Sequence, residues 1–312
     1  MNKRILVVGS ANMDLCLNVY RMPEAGETVQ DNGGVAYAPG GKGANAAVAL
    51  ARLGADCTFL TKLGKDAHGK RLYKYYSDAG MNTSCIKVDA EMPTGLAVVI
   101  REANGENRII HYPGANTKIT NDNILSTFNS ASHEALYIGF EASFAVALSA
   151  ARIAASRGIP IFVDAAPASA DVQLDLLPHV EIFSPNETEA FEYTGVMPAG
   201  ADSALRASLA LYRRVKCRYV VIKQGARGAC IYDGKHFDMV PAYKLDRVVD
   251  TTAAGDIFTA AMTLEYLRTA DIKEAVKYGN AAAALSVSRM GSSSSAPTAE
   301  EVRRLITTGV IR

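Results

Sequence analysis

Asp250-Thr-Thr-Ala-Ala-Gly-Asp256 places a carboxylate directly after a turn of small residues, where a helical pattern begins. Ala253, Ala254 and Gly255 let the backbone come close to a ligand, and the first N–H groups of a helix have no partner inside it. Together with the positive end of the helix dipole they form an anion site. Asp256 beside that site can accept a proton from a hydroxyl while the anion site holds a phosphoryl group in transfer. The competing reading is that Asp256 caps the helix, since Asp is a preferred N-cap residue.

Two glycine-bearing stretches nearer the N-terminus are of the same kind. Gly40-Gly41-Lys42-Gly43-Ala44-Asn45 opens a helix that Gly54 closes. Three glycines in four residues are costly unless the backbone adopts unusual angles or a ligand lies against it. The spacing of a Walker A loop is absent, but Lys42 and Asn45, one turn apart, can reach a common ligand. Gly9-Ser-Ala-Asn-Met-Asp14 follows the first strand. If that segment is extended, Asn12 and Asp14 face the same way, and a carboxamide with a carboxylate matches the hydroxyls of a polyol. A solvated turn with an Asx hydrogen bond is the alternative.

Ser184-Pro-Asn-Glu187 reads as a capping box with Ser184 as N-cap and Pro185 at the first helical position. That leaves Asn186 and Glu189 on one face, an amide and a carboxylate suited to magnesium and its waters. Gly225-Ala-Arg-Gly228 is either an ordinary turn or a nucleotide-contacting loop. His68, His111, His133, His179 and His236 show no metal-ligand spacing, and no G-x-S-x-G elbow is present.

The elements that must position these residues follow from apolar patterning. Strands are predicted at residues 5–8, 57–61, 136–138, 161–164, 182–183, 219–223 and 229–232. Helices are predicted at 44–53, 69–78, 145–156, 187–194, 203–214, 257–267 and 272–288. Continuous apolar strands separated by helices imply a parallel sheet covered on both faces. The β-rich segments 15–19, 28–37, 95–101 and 108–111 break this alternation, the last two flanking the hairpin signal Asn104-Gly105. They imply a small antiparallel sheet sheltering a pocket at the carboxyl ends of the parallel strands.

The 312 residues carry a net charge of +1 with no long basic block, which argues against nucleic acid or an anionic membrane as partner. Cys16, Cys57, Cys85, Cys217 and Cys230 are scattered and odd in number, so a disulfide framework or zinc site is not expected and a reducing cytoplasm is. The apolar run Ile5–Val8 is too short for a signal peptide, and no stretch is long enough for a membrane span.

Taken together, Gly9-Ser-Ala-Asn-Met-Asp14, Gly26-Glu-Thr-Val29, Gly40-Gly-Lys-Gly-Ala-Asn45, Pro185-Asn-Glu-Thr-Glu189 and Asp250-Thr-Thr-Ala-Ala-Gly-Asp256 resemble the ribokinase-like (PfkB-type) sugar kinases over essentially the whole chain. The resemblance implies a single domain, residues 1–312, of mostly parallel sheet flanked by helices in a Rossmann-type three-layer arrangement. A protruding β-sheet lid would come from two inserted segments, about 12–40 and 94–112. The implied activity is ATP-dependent phosphorylation of a sugar primary hydroxyl, with D-ribose to D-ribose 5-phosphate the leading reaction. Another pentose, a ketohexose or a nucleoside is the alternative acceptor, and a sugar sensor without turnover the alternative class.

By the same resemblance Asp256 is the general base, with the N–H groups of Ala253, Ala254, Gly255 and Asp256 as the anion hole. Asn12, Asp14, Gly40, Gly41, Lys42, Asn45 and Glu141 would hold the sugar. Asn186, Lys223, Gly225, Gly228, Gly255 and Asn280 would contact ATP, with Asn186 and Glu189 organising Mg2+ through water. A monovalent cation, K+, would be held by Asp250, Thr252, Ser286, Gly291 and Ser295. The lid would also make a homodimer. Four positions depart from the family pattern. Lys65 stands where an acidic residue is usual, and Asp164-Ala-Ala-Pro167 replaces Asn-Pro-Ala-Pro. Ile257 stands where Thr is common, and Thr259 where Asn is frequent.

Overall fold

The computed structural model describes residues 2–104 and 107–310; Gly105 of the expected hairpin turn lies outside them. In chain order the strands are β1 (Arg4–Val8), β2 (Asn12–Val19), β3 (Ala36–Gly40), β4 (Asp56–Leu60), β5 (Lys62–Gly64), β6 (Lys87–Asp89) and β7 (Gly95–Glu102). They continue as β8 (Asn107–Tyr112), β9 (Ala135–Ile138), β10 (Ile161–Asp164), β11 (Val180–Ser184), β12 (Cys217–Lys223), β13 (Ala229–Tyr232) and β14 (Phe237–Val240). The helices are α1 (Lys42–Arg52), α2 (Ala67–Asp78), α3 (Asn121–Ser130), α4 (Phe144–Ser156), α5 (Glu187–Thr194), α6 (Ala201–Arg214), α7 (Ala254–Thr269), α8 (Ile272–Val287) and α9 (Ala299–Thr308).

Eight strands form one sheet in the order β14-β13-β12-β11-β10-β9-β1-β4. It is parallel from β4 to β12, and β13 and β14 run antiparallel at one edge. Successive side chains point to opposite faces, so Ile5 and Val7 pack with α1, α2, α7, α8 and α9, while Leu6 and Val8 pack with α3, α4, α5 and α6. Burial on both faces is why the strand sequences are continuously apolar. Helix α7 is itself buried nearly all round, as a helix apolar on every side must be.

The second sheet has the order β3-β2-β7-β8. Its outer pairs are antiparallel, and the central pair runs parallel, Asn12–Val19 alongside Gly95–Glu102. Because β2 starts only a few residues after β1 ends, this sheet grows directly out of the carboxyl edge of the main one.

Several boundaries differ from the sequence expectations. Only residues 36–37 of the segment 28–37 are strand, because the Asp31 carboxylate accepts the N–H groups of Asn18 (2.6 Å) and Gly33 (3.1 Å) and holds a turn there. The expected capping box at Ser184 lies two residues later. Asn186 is the N-cap and Glu189 its reciprocal partner, because the ladder continues past Ser184: Lys223 N–H donates to the Pro185 carbonyl at 2.9 Å. Helices α3 and α9 and strands β5, β6 and β14 were not expected. Thr298 and Glu301 form a capping box at the start of α9, a signature present in the sequence.

Candidate active site

Residues that end the parallel strands converge at one edge of the sheet. The turn after β1 supplies Ser10, β2 begins at Asn12, the segment after β9 supplies Glu141, β10 ends at Asp164, β11 leads into Asn186, and β12 ends at Lys223. The starts of α1 and α7 meet them there. A methyl group on Gly43 would lie 2.7 Å from the Gly9 backbone, so only glycine lets α1 come this close to the end of β1. Gly41 has φ 92°, a conformation that glycine adopts without strain.

Asp256 lies in the first turn of α7 and is 5 % exposed. Its carboxylate does not cap the helix. The N-cap residue is Ala253, which makes no side-chain cap bond, and the Asp256 carboxylate instead accepts from Asn45 Nδ2 (2.8 Å) and faces Lys42 Nζ (3.9 Å). Ala254 N–H turns back onto the Thr251 carbonyl (3.2 Å) and Ile257 N–H bonds Ala253. Between them, the Gly255 and Asp256 N–H groups have no acceptor among the described residues. Of the four N–H groups expected to form an anion hole, that of Ala254 is thus taken, and those of Gly255 and Asp256 remain open to a ligand.

A cavity of about 350 Å³ opens in front of Asp256. Asn12, Asp14, Gly41, Lys42, Asn45 and Glu141 line it, and Thr252, Ala253 and Gly291 form a further wall. Gly40 does not line it; it pairs with Asn12 in the second sheet and has Asp14 packed against it. Glu141 is the hub of one wall: it accepts from Ser10 Oγ, from Lys42 N–H (2.9 Å) and from Asn12 Nδ2 (3.4 Å). Asn12 is held in turn by Asn116 Nδ2 on its oxygen (2.8 Å) and contacts His111 Nε2 (3.1 Å). The Asn45 Oδ1 atom is buried and has no partner among the described residues, which leaves an acceptor for a substrate hydroxyl.

Crowding of carboxylates out of water shifts their protonation. Burial, reinforced by the charges of Asp164 and Glu141 and opposed by Lys42 and Asn45, pushes Asp256 up to about 6. Burial, with Glu141 and Asp256, pushes Asp14 up to about 7. Asp256 in turn raises Lys42 above the usual lysine range. A carboxylate with a pKa near 6 is ionised at neutral pH yet more basic than ordinary aspartate.

The proposed nucleotide residues lie beside this cavity, not in its lining. Asn186 and Glu189 hold each other: Glu189 Oε2 accepts from Asn186 N–H (2.8 Å) and Oε1 from Asn186 Nδ2 (3.0 Å). Burial raises the Glu189 carboxyl despite the nearby Lys223 ammonium. Its remaining lone pairs suit the waters of Mg2+. Gly228 packs against the Val240–Ala242 backbone, and Asn280 donates to the Val240 (3.2 Å) and Pro241 (3.1 Å) carbonyls. Asn280 therefore pins that loop, with Gly225 exposed at the turn after β12.

Of the expected cation residues, Asp250, Thr252 and Gly291 are joined directly, while the Ser286 hydroxyl turns back to the Ala283 carbonyl. Asp250 accepts from Thr252 N–H (3.0 Å), Thr252 Oγ1 (2.6 Å) and Gly291 N–H (3.2 Å), and the Arg101 guanidinium from β7 stands 3.5 Å away. Burial pushes the Asp250 carboxyl up, and these donors outweigh it and hold it below the usual range. Val249 and Asp250 N–H both reach the Val287 carbonyl next to Ser286. The Ser295 hydroxyl donates to Ser292. The Thr252 carbonyl accepts no hydrogen bond among the described residues, so a carboxylate and a free carbonyl of the kind a hard cation takes are both present.

Ser10, Arg101, His111 and Asn116 were not singled out as site residues. Arg101 and His111 follow the period-two alternation of β7 and β8, with Ala97, Val99 and Ile109 on the same cavity-facing side. That alternation was legible once the strands were assigned. Of the four departures, Lys65 is exposed and away from the cavity, and Ile257 is a core residue. Asp164 and Thr259 meet at Lys223, whose Nζ lies 2.7 Å from Asp164 Oδ1 and 3.2 Å from Thr259 Oγ1.

Comparison with known proteins gives the chain a family. Residues 2–299 match the pfkB family carbohydrate kinase model. The chain is 34% identical to a ribokinase of Haemophilus influenzae, over 96% of this chain and 97% of that one. It is 32% identical to a ribokinase of Staphylococcus aureus, over 98% of this chain and 100% of that one. Its fold is similar to that of Arabidopsis thaliana ribokinase complexed with ribose and ATP, with TM-score 0.87 and 29% identity over 98% of this chain and 99% of that one. The chain belongs to the pfkB family of carbohydrate kinases.

Proposed function

We propose that this protein transfers the γ-phosphoryl group of ATP to the primary hydroxyl of D-ribose, giving D-ribose 5-phosphate and ADP. The observation that carries the reading is the buried Asp256 carboxylate beside two unpaired N–H groups, facing a cavity walled by carboxamides and carboxylates. Phosphoryl transfer asks for positioning and charge stabilisation more than covalent help. Asp256 takes the proton of the attacking hydroxyl as it becomes acidic in the transition state. The Gly255 and Asp256 N–H groups, with Ala253 and Ala254 shaping the turn, hold the charge that builds on the transferred group. Asp14, Lys42, Glu141 and the free Asn45 oxygen orient the sugar, and Ser10, Asn12, Asn116 and His111 hold that wall in place.

Mg2+ bound with the nucleotide would offset phosphate charge, and Asn186 and Glu189 would orient its waters. A monovalent cation, K+ in our reading, fits Asp250 and the Thr252 carbonyl, with Ser286, Gly291 and Ser295 around it, and would hold the turn leading into the anion site. We also propose that the lid pairs two copies of the chain. Ile110 is 64% exposed and Tyr37 and Tyr112 are 42% and 44% exposed on the face of that sheet turned from the cavity, an apolar patch suited to burial. The five free cysteines fit a reducing compartment.

The test is ADP release by the purified protein with ATP, Mg2+ and K+ across pentoses, hexoses, ketoses and nucleosides. A clear preference for ribose in kcat/KM supports the assignment. Turnover confined to another acceptor would move the sugar and keep the chemistry, and no turnover on any acceptor would overturn the kinase reading.

A further inference from the structure

Lys223 ends β12 with its ammonium group inside the protein, the side chain 10% exposed, against an Asp164 side chain 4% exposed. A buried ion pair is a weak source of stability, because desolvating both charges offsets their attraction. This one is also tightly framed. Asp164 Oδ2 accepts from Tyr137 Oη (3.2 Å), and Thr259 Oγ1 donates to the Gly255 carbonyl (3.0 Å). An ammonium has three protons to donate. Asp164 and Thr259 accept two, which leaves one.

The position of that remaining donor points to its use. A methyl group on Gly255 would lie 3.7 Å from Lys223 Nζ, so the charge lies beside the first turn of α7, where the unpaired N–H groups are. The Lys223 main chain pairs with Asn186 in a β-bridge, and the Lys223 charge acts on Glu189, the partner of Asn186. Lys223 therefore stands between the residues that would organise the nucleotide and those that would receive the group in transfer. Asp164 and Thr259 come from β10 and α7, so the ammonium is held from two directions and cannot swing freely.

We propose that Lys223 is a catalytic residue that donates its third N–H to the phosphoryl group in transfer, with Asp164 and Thr259 as its positioning residues. This rests on the kinase reading above and adds a fixed cation to the anion site. In the step, the bond between the γ-phosphorus and the oxygen of the leaving nucleoside diphosphate breaks. The bond from the sugar oxygen to that phosphorus forms, and the hydroxyl proton passes to Asp256. Lys223 keeps all its protons and serves by charge, which is worth most where charge builds in a water-poor site.

Lys223→Met alone would strand the buried Asp164 charge and could lose activity by destabilising the fold. The decisive variant is the double Lys223→Met/Asp164→Asn, which removes both charges. We expect the double variant to recover wild-type Tm but stay roughly 10²–10³-fold down in kcat, the loss typical for a donor to a developing charge. Its ADP affinity, measured by calorimetry, should be near wild type. Its affinity for ADP with Mg2+, fluoroaluminate and D-ribose, a mimic of the transferred group, should fall with kcat. Recovery of kcat together with Tm would make the pair a structural tie and overturn the proposal, as would unchanged fluoroaluminate affinity. Failure of the kinase reading would look different: the wild-type protein would then turn over no acceptor at all.

Discussion

Asp256→Asn separates the chemistry of the carboxylate from its place in the fold. The replacement is isosteric, and its amide oxygen can still accept from Asn45 Nδ2, which now stands 2.8 Å from Oδ2. What it loses is the ability to take a proton, and a positioned general base is worth roughly 10²–10⁴-fold in rate. Stability should move the opposite way. The folded-state value of about 6 lies above the ordinary aspartate value of 3.8, so the unfolded chain ionises this group more readily than the folded one does. At about 1.4 kcal/mol per unit, the shift costs the wild-type fold on the order of 3 kcal/mol once both states are ionised. The sign follows from the raised acid. The cost is absent well below pH 3.8, grows as pH rises through the window between 3.8 and about 6, and is constant above it. A neutral amide does not carry it. Denaturant unfolding at pH 8 should therefore find the variant at least as stable as wild type, with the advantage shrinking towards pH 4, while steady-state ADP release falls to near background. Sugar and ATP binding should persist by calorimetry. A variant that kept most of the wild-type kcat would remove Asp256 from the role of base, and one that lost stability at pH 8 would refute the electrostatic account.

The acid limb of kcat/KM should report Asp256 and Asp14 as a pair, with activity lost as pH falls through about 7 to about 6. Asp14→Asn removes a like charge and should move that limb to lower pH; a limb that stays put belongs to some other group. Gly43→Ala should destabilise the protein by about 1–3 kcal/mol, because its methyl would meet the Gly9 backbone at 2.7 Å, and an unchanged denaturant midpoint would show that α1 can move away freely. Exchanging Na+ for K+ at constant ionic strength should raise activity and Tm together, since a cation bound to the native state stabilises it. Indifference of both would remove the cation role of Asp250 and the Ser286–Ser295 segment.

Much of the architecture was legible because it depends on local pattern. Strands buried on both faces must be apolar throughout, and helices must carry an apolar stripe, so seven strands and seven helices could be placed within a few residues of their observed bounds. The glycine run at residues 40–43 and the small-residue turn before Asp256 were equally readable, since few functions other than close approach require such residues. Elements without that contrast were missed. Helix α3 is rich in Asn, Asp, Ser and Thr, and β14 is a short edge strand of mixed polarity.

Pairings across the chain were decided only by the tertiary structure. The box expected at Ser184 shifted to Asn186 because β11 and β12 keep pairing beyond the point where the local signal ends a strand. Asn280, expected at ATP, is turned to the Val240 and Pro241 carbonyls by the path of the chain after β14. Arg101 reaches Asp250 across 149 positions and Asp164 reaches Lys223 across 59, distances over which composition and periodicity carry no information. The sequence alone determined that a carboxylate would sit at a helix start behind a flexible turn, because both properties belong to neighbouring residues. Which charges surround that carboxylate, and so its basicity, depended on the strand order and register that bring Asp164, Glu141, Lys42 and Lys223 to one edge of the sheet.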